Sequence, residues 1–214
     1  MAITTLTELE SAISNWLNRS DLTDRIPEFI DLAEARIQQD RRLVQHASRD
    51  FTGTEGFTLP ADFAALVELY HDGPTYYGRI ALVSPTELSE RKLRHGDSGV
   101  PRWASVIAGA STKSLRFAPE PPTTGYAMRM IYEAFPLPLN DSDQTTNWLL
   151  TQAPQIYLYA ALSEGAGYLL DEQVEQKWLA KYEQAAAAFY RNKMREAYSG
   201  PLTPRPRHII GEGV

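Results

Sequence analysis

The chain has 214 residues, 43% hydrophobic and 22% charged, so it can bury a core without covalent staples. It contains no cysteine, which excludes disulfides, thiolate zinc sites and thiol nucleophiles and fits a reducing compartment. A net charge of −6 argues against broad duplex binding, and no apolar run approaches the ~18 residues that a bilayer requires.

Thr5-Leu-Thr-Glu8 has the form of a capping box, in which a hydroxyl and a carboxylate satisfy the first free amides of a helix. Leu6, Leu9, Ile13, Trp16 and Leu17 then recur on one helical face. Asn18-Arg-Ser-Asp21 breaks the pattern, and Pro27 suits the first turn of a second helix because no amide proton is needed there. The second stripe is Ile26, Phe29, Ile30, Ala33, Ile37 and Val44, with Glu34, Gln38, Arg41 and Gln45 expected on the polar face. An antiparallel helical pair over about 5–44 follows.

Between Phe51 and Pro138 the period shortens. Leu66 to Tyr70, then Asp72-Gly-Pro74 with Tyr76 and Tyr77, predicts a hairpin turned by Asp-Gly. Ser84-Pro-Thr-Glu87 is a second capping box ahead of a short helix to about Arg94, and Gly96-Asp-Ser-Gly99 reads as a turn. Trp103–Ala108, Lys113–Ala118 and Tyr126–Phe135 read as strands. In the last, Tyr126, Met128, Met130 and Tyr132 alternate against Arg129, Ile131 and Glu133. After the polar loop 140–146, Pro154 opens a helix that is apolar all round from Ile156 to Leu162, so it is expected at the centre. Gly165 and Gly167 inside it suggest close approach of another helix. Asp171 caps a final helix carrying Val174, Trp178, Tyr182, Ala185 and Phe189.

The fold class expected is α+β: terminal helices forming one bundle around an inserted antiparallel β-rich domain. The boundaries are 1–50 and 141–198 for the two helical halves, 51–140 for the β-rich domain with its short helix, and 199–214 for an extended arm. Within the arm, Pro201, Pro204 and Pro206 favour an extended chain. Arg205 and Arg207 followed by Ile209 and Ile210 supply charge anchors and an apolar plug, so Pro201, Pro204, Arg205, Arg207, Ile209 and Ile210 are the candidate partner-binding residues.

Catalytic signals are weak. His46, His71, His95 and His208 lack ligand spacing, and His71-Asp72 reads as a solvated turn. Glu164 and Asp171 stand seven apart on helical sequence with no second polar partner for either, so helix solvation and capping explain both in preference to paired-carboxylate hydrolysis. Gly53-Thr-Glu-Gly56 lacks the lysine of a phosphate loop, and Trp103, Tyr76 and Tyr77 read as sheet core rather than stacking platforms. No catalytic, cofactor or metal site is expected.

Ser14-Asn-Trp-Leu-Asn-Arg-Ser-Asp-Leu22, Ile26-Pro-Glu-Phe-Ile30, Leu32-Ala-Glu-Ala-Arg-Ile37, Leu59-Pro-Ala-Asp-Phe63 and Thr146-Asn-Trp-Leu-Leu-Thr151 followed by Tyr157-Leu-Tyr159 resemble head-to-tail adaptor proteins of tailed phages, of the tail-tubular-protein-A type. The resemblance covers roughly residues 6–198. It implies a virion neck protein, assembled in the host cytoplasm, with a helical bundle carrying a β-rich domain. It further implies a ring of twelve copies between the portal protein and the tail nozzle protein, with genomic DNA passing through the channel unspecifically, and no membrane, cofactor or catalytic residues. The alternatives are a small hydrolase using Glu164 and Asp171, or a peptide- or strand-binding module.

Overall fold

A computed structural model describes residues 3–197 apart from Ser20, Glu55, Tyr76, Gly96, Asp97, Ala110, Ser111 and Asp141. Helix α1, Leu6–Leu17, opens with the expected capping box: the Glu8 N–H donates to Thr5 Oγ1 at 3.4 Å and the Thr5 N–H to Glu8 Oε2 at 3.2 Å. Asn18 ends it in the left-handed region, at φ 52°. One 3-10 turn, Thr23–Arg25, leads into α2, Ile26–Gln39, with Pro27 in the first turn.

Helix α2 is shorter than its stripe suggested. Beyond it the Asp40 carboxylate accepts from both the backbone N–H and the guanidinium of Arg42, which closes a turn instead of another helical turn. Val44 is therefore buried outside the helix, Arg41 is not on it, and Gln45 begins strand β1, Gln45–Gly53, ahead of the expected start at 51. Glu34 corrects the expected polar face: it is buried on the same side as Ile30, Ala33 and Ile37.

Strands β2, Phe57–Thr58, β3, Phe63–Asp72, β4, Tyr77–Arg79, and β5, Ala81–Leu82, follow, then helix α3, Pro85–His95. Ser84 Oγ accepts from the Glu87 N–H at 3.2 Å, while the Glu87 carboxylate turns to Arg91. The hairpin between β3 and β4 is not closed by a two-residue Asp-Gly turn, because Asp72 itself pairs with Tyr77. Strands β6, Trp103–Ala108, β7, Lys113–Ala118, and β8, Tyr126–Ala134, lie where their alternation placed them.

Two four-stranded sheets result, in the orders β1-β8-β3-β4 and β2-β7-β6-β5. Each pairing is antiparallel except β5 with β6. The chain steps from the first sheet to the second at Ile80, whose N–H still donates to Leu69 O at 2.8 Å while Ala81 already bonds Arg102 O. Phe63, Leu69, Met128 and Met130 of one sheet and Ala104, Leu115 and Phe117 of the other share one apolar cluster, so the sheets face each other.

Helices α4, Trp148–Gln152, α5, Pro154–Tyr168, and α6, Glu172–Ala197, complete an α+β fold. A second apolar cluster gathers α1, α2, α5 and α6, with Ile156, Ala160, Ala161 and Leu162 of α5 fully enclosed. The α5 helix is central, as its lack of a polar face required. A Cβ on Gly165 would meet Leu17 Cδ2 at 3.3 Å and Phe29 Cδ2 at 3.5 Å, so this glycine lets α1 and α2 close onto α5.

The return from the sheets to the helices is built from buried polar groups. Leu139 N–H donates to Glu34 Oε1 at 2.8 Å. Asn147 donates to Leu137 O and to the Tyr157 hydroxyl, both at 2.7 Å, and its Oδ1 caps α4 by accepting from Leu150 N–H. The Tyr157 hydroxyl in turn reaches Glu34. On the outgoing side Arg42 bridges Asp40 and Glu183 of α6, Tyr182 donates to Asp40 at 3.1 Å, and Lys193 donates to Val44 O.

Burial pushes the Glu34 carboxyl up from its ordinary value of 4.5 to about 7. The folded chain thus keeps a proton that the unfolded chain releases, so stability falls as pH rises from about 4.5 to about 7. Glu34→Gln keeps the acceptor and should melt like the native chain at pH 4. At pH 8 it should be more stable, by up to about 3 kcal/mol; melting curves at both pH values check this, and an unchanged difference would contradict it. Phe29→Ala, at the centre of the helical cluster, should cost about 3–5 kcal/mol in a denaturant titration.

Candidate interaction surface at the far end of the helices

The α5 N-terminus sits against the return from the sheets, through Tyr157 and Asn147, so its C-terminus marks the opposite end of the helical body. The start of α2 meets it there, with the Phe29 and Tyr168 rings 5.6 Å apart. The helix ends in a Schellman motif: the Asp171 N–H donates to Ala166 O at 3.1 Å and the Leu170 N–H to Gly167 O at 3.0 Å. Such a motif places its penultimate residue in the left-handed region, ordinarily a glycine position. Here that residue is Leu170, at φ 58° and 88% exposed.

A leucine in this conformation carries a steric penalty of roughly 1–2 kcal/mol, which no burial among the described residues offsets. Its neighbours extend the apolar surface: Tyr168, Leu169 and Val174 are exposed as well. Elsewhere on the same body, Trp16 of α1 is half exposed and lies 5.5 Å from the Trp178 ring, which stacks on Tyr159 at 5.8 Å. Lys181 covers the pair, its Nζ 4.9 Å from the Trp178 ring and 5.5 Å from that of Tyr159. A rigid turn that holds a large apolar side chain in water is suited to contact with another protein.

The two carboxylates of the alternative hydrolase reading have separate partners. Glu164 accepts from Arg36 at 2.5 Å, and Asp171 caps α6 by accepting from the Val174 N–H at 3.2 Å. The solvated turn expected at His71 is corrected: its ring is buried, with Nε2 2.8 Å from Pro101 O. Tyr77, expected in the core, is 84% exposed at the tip of its hairpin. Trp103 is partly covered by Arg91 at 4.9 Å and by the His95 ring at 4.7 Å. Among the described residues no helix is long and apolar enough to cross a membrane. The six candidate arm residues, Pro201, Pro204, Arg205, Arg207, Ile209 and Ile210, lie outside the described residues, as do Tyr76 and His208.

The sequence reading assigned no role to Leu169 or Leu170, so the Leu170 turn was missed. The available signal was a helix stop directly before the Asp171 cap with neither glycine nor asparagine to form it.

The family model described as SU10 adaptor protein matches residues 4–205. No curated protein matches the chain.

Leu170→Gly should raise stability by roughly 0.5–1 kcal/mol, relieving the left-handed strain at no loss of core. In a scan this appears as a melting point higher by about 1–4 °C. A lower melting point would mean that the leucine packs within its own subunit after all.

Proposed function

The chain belongs to the SU10 adaptor protein family, a family of phage structural adaptors, and from that premise we propose a ring-forming, non-enzymatic head-to-tail adaptor. In this reading about twelve copies close between the portal protein and the tail nozzle, in the neck of the virion. The family match over 4–205 carries the reading. The exposed Leu170 turn supports it, since a subunit that spends its life in an assembly can keep a strained apolar contact that a solitary protein would lose.

The acidic balance suits the same role. A net charge of −6 leaves duplex DNA weakly held, so a genome can slide through a channel built from such subunits. The Glu164–Arg36 and Asp171–Val174 contacts give both carboxylates structural duties, which weighs against hydrolysis.

End-on electron images of the purified chain mixed with its portal protein should reveal a closed ring stacked on the portal. Leu170→Asp, at an exposed position, should keep the native circular dichroism and lose that stack. A chain that stays monomeric by light scattering in the presence of portal, or that binds duplex DNA tightly with a steep salt dependence, would overturn the reading.

A further inference from the structure

Three rings from three helices meet on the helical body: Trp16 of α1, Tyr159 of α5 and Trp178 of α6, with centroids no more than 6.4 Å apart. Trp16 keeps half of its surface in water. Lys177 and Lys181 stand over these rings, their Nζ atoms 5.2 and 4.9 Å from that of Trp178. The two lysines are four residues apart on α6, a spacing at which like charges repel on a helix. Neither makes an ion pair among the described residues, so only the ring faces offset that repulsion. An aromatic floor under two unmatched ammonium groups is a receiving face for an apolar side chain flanked by carboxylates.

The same chain carries that counterpart. Leu170 stands 88% exposed on its rigid turn, and Asp171, Glu172 and Glu175 follow it directly. The N-terminal end of α6 favours negative charge there, yet none of the three makes an ion pair among the described residues. We infer that the Leu170 turn of one copy docks on the Trp16–Tyr159–Trp178 face of a second copy, its carboxylates against Lys177 and Lys181. The inference rests on the multi-copy reading above and names the contact that links neighbouring copies.

Charge selects a second copy as the partner. Three unmatched carboxylates and two unmatched ammonium groups lie on one chain, beside an uncovered leucine and a half-covered tryptophan, so a single contact between copies serves them all. A subunit cannot make this contact with itself. Helix α6 holds Trp178 eight residues beyond Leu170, roughly 12 Å along its axis, and the exposure of Leu170 shows that it does not fold back. The turn and the receiving face are different patches of one surface, so the contact is heterologous. It passes from copy to copy, closing as a ring or continuing as a filament, and does not stop at a pair.

The native chain has no cysteine, so introduced cysteines report this contact cleanly. Gln173 and Ala180 are exposed beside the two halves of the contact and about two helical turns apart, roughly 10 Å, too far to bridge within one chain. Full-length Gln173→Cys/Ala180→Cys under mild oxidation should give a ladder of disulfide-linked trimers and larger species on a denaturing gel. The ladder should grow at least tenfold faster than that of Gln173→Cys/Leu93→Cys, because Leu93 is 87% exposed on α3 and belongs to neither half. Adding Leu170→Asp, or Lys177→Glu with Lys181→Glu, should slow it to that control. Adding Glu172→Lys and Glu175→Lys to the lysine-reversed chain should restore at least a third of the rate, which a misfolded chain would not do. Linking that stops at dimers would mean a two-fold pair and overturn the proposal, as would a rate equal to the control or a charge exchange without recovery. Rings on the portal from a chain that forms no ladder would refute this contact alone, whereas a ladder without such rings would refute the ring reading.

Discussion

The chain leaves its helices at Arg41–Val44 and returns at Pro136–Leu139, and the return is fixed by the hydrogen bond from the Leu139 amide to the Glu34 carboxyl. Tyr157 and Asn147 extend that bond into α5 and the cap of α4, so three helices and the end of the sheet region share one buried polar chain. A buried polar chain of this kind is stabilising only when each member is satisfied, which gives it geometric specificity that apolar packing lacks. Leu and Ile stripes can slide by a turn at modest loss. A carboxyl that must meet one particular amide cannot.

The outgoing side uses more exposed groups for the same purpose. Arg42 joins Asp40 to Glu183 and, with Tyr182 on Asp40, ties the turn after α2 to α6. Exposed ion pairs contribute little energy singly. Here they act together with Lys193 on Val44 O to set the direction in which α6 passes the first strand. Among the described residues the Leu170 turn stays exposed, at the end of the helical body away from this junction.

What the sequence disclosed followed the strength of the local period. Strands β6, β7 and β8 and helices α1 and α5 announce themselves by alternation, capping residues or continuous apolarity. Glu34 did not, although its spacing of four from Ile30 and three from Ile37 put it on the buried stripe; its charge outweighed its position. Strand β5 is two residues in a parallel pair, too short to carry any period. Val44 is apolar and buried but outside the helix, because Asp40 and Arg42 close a turn whose chemistry lies in side chains rather than in periodicity. Leu170 was hidden for the opposite reason: a residue type that avoids the left-handed region gives no warning that it occupies it.

The register of the first sheet has a consequence for how the chain reaches this state. Gln45 pairs directly with Ala134, so the two crossings between sheets and helices emerge side by side, about 5 Å apart. The contacts between α2 and α5 otherwise require closing a loop of more than a hundred residues, an entropic cost that grows with the logarithm of loop length. Once β1 has paired with β8, that loop shrinks to two connectors, 40–44 and 135–153. The sheets thus act as a clasp that makes two halves of a bundle, distant along the chain, into near neighbours.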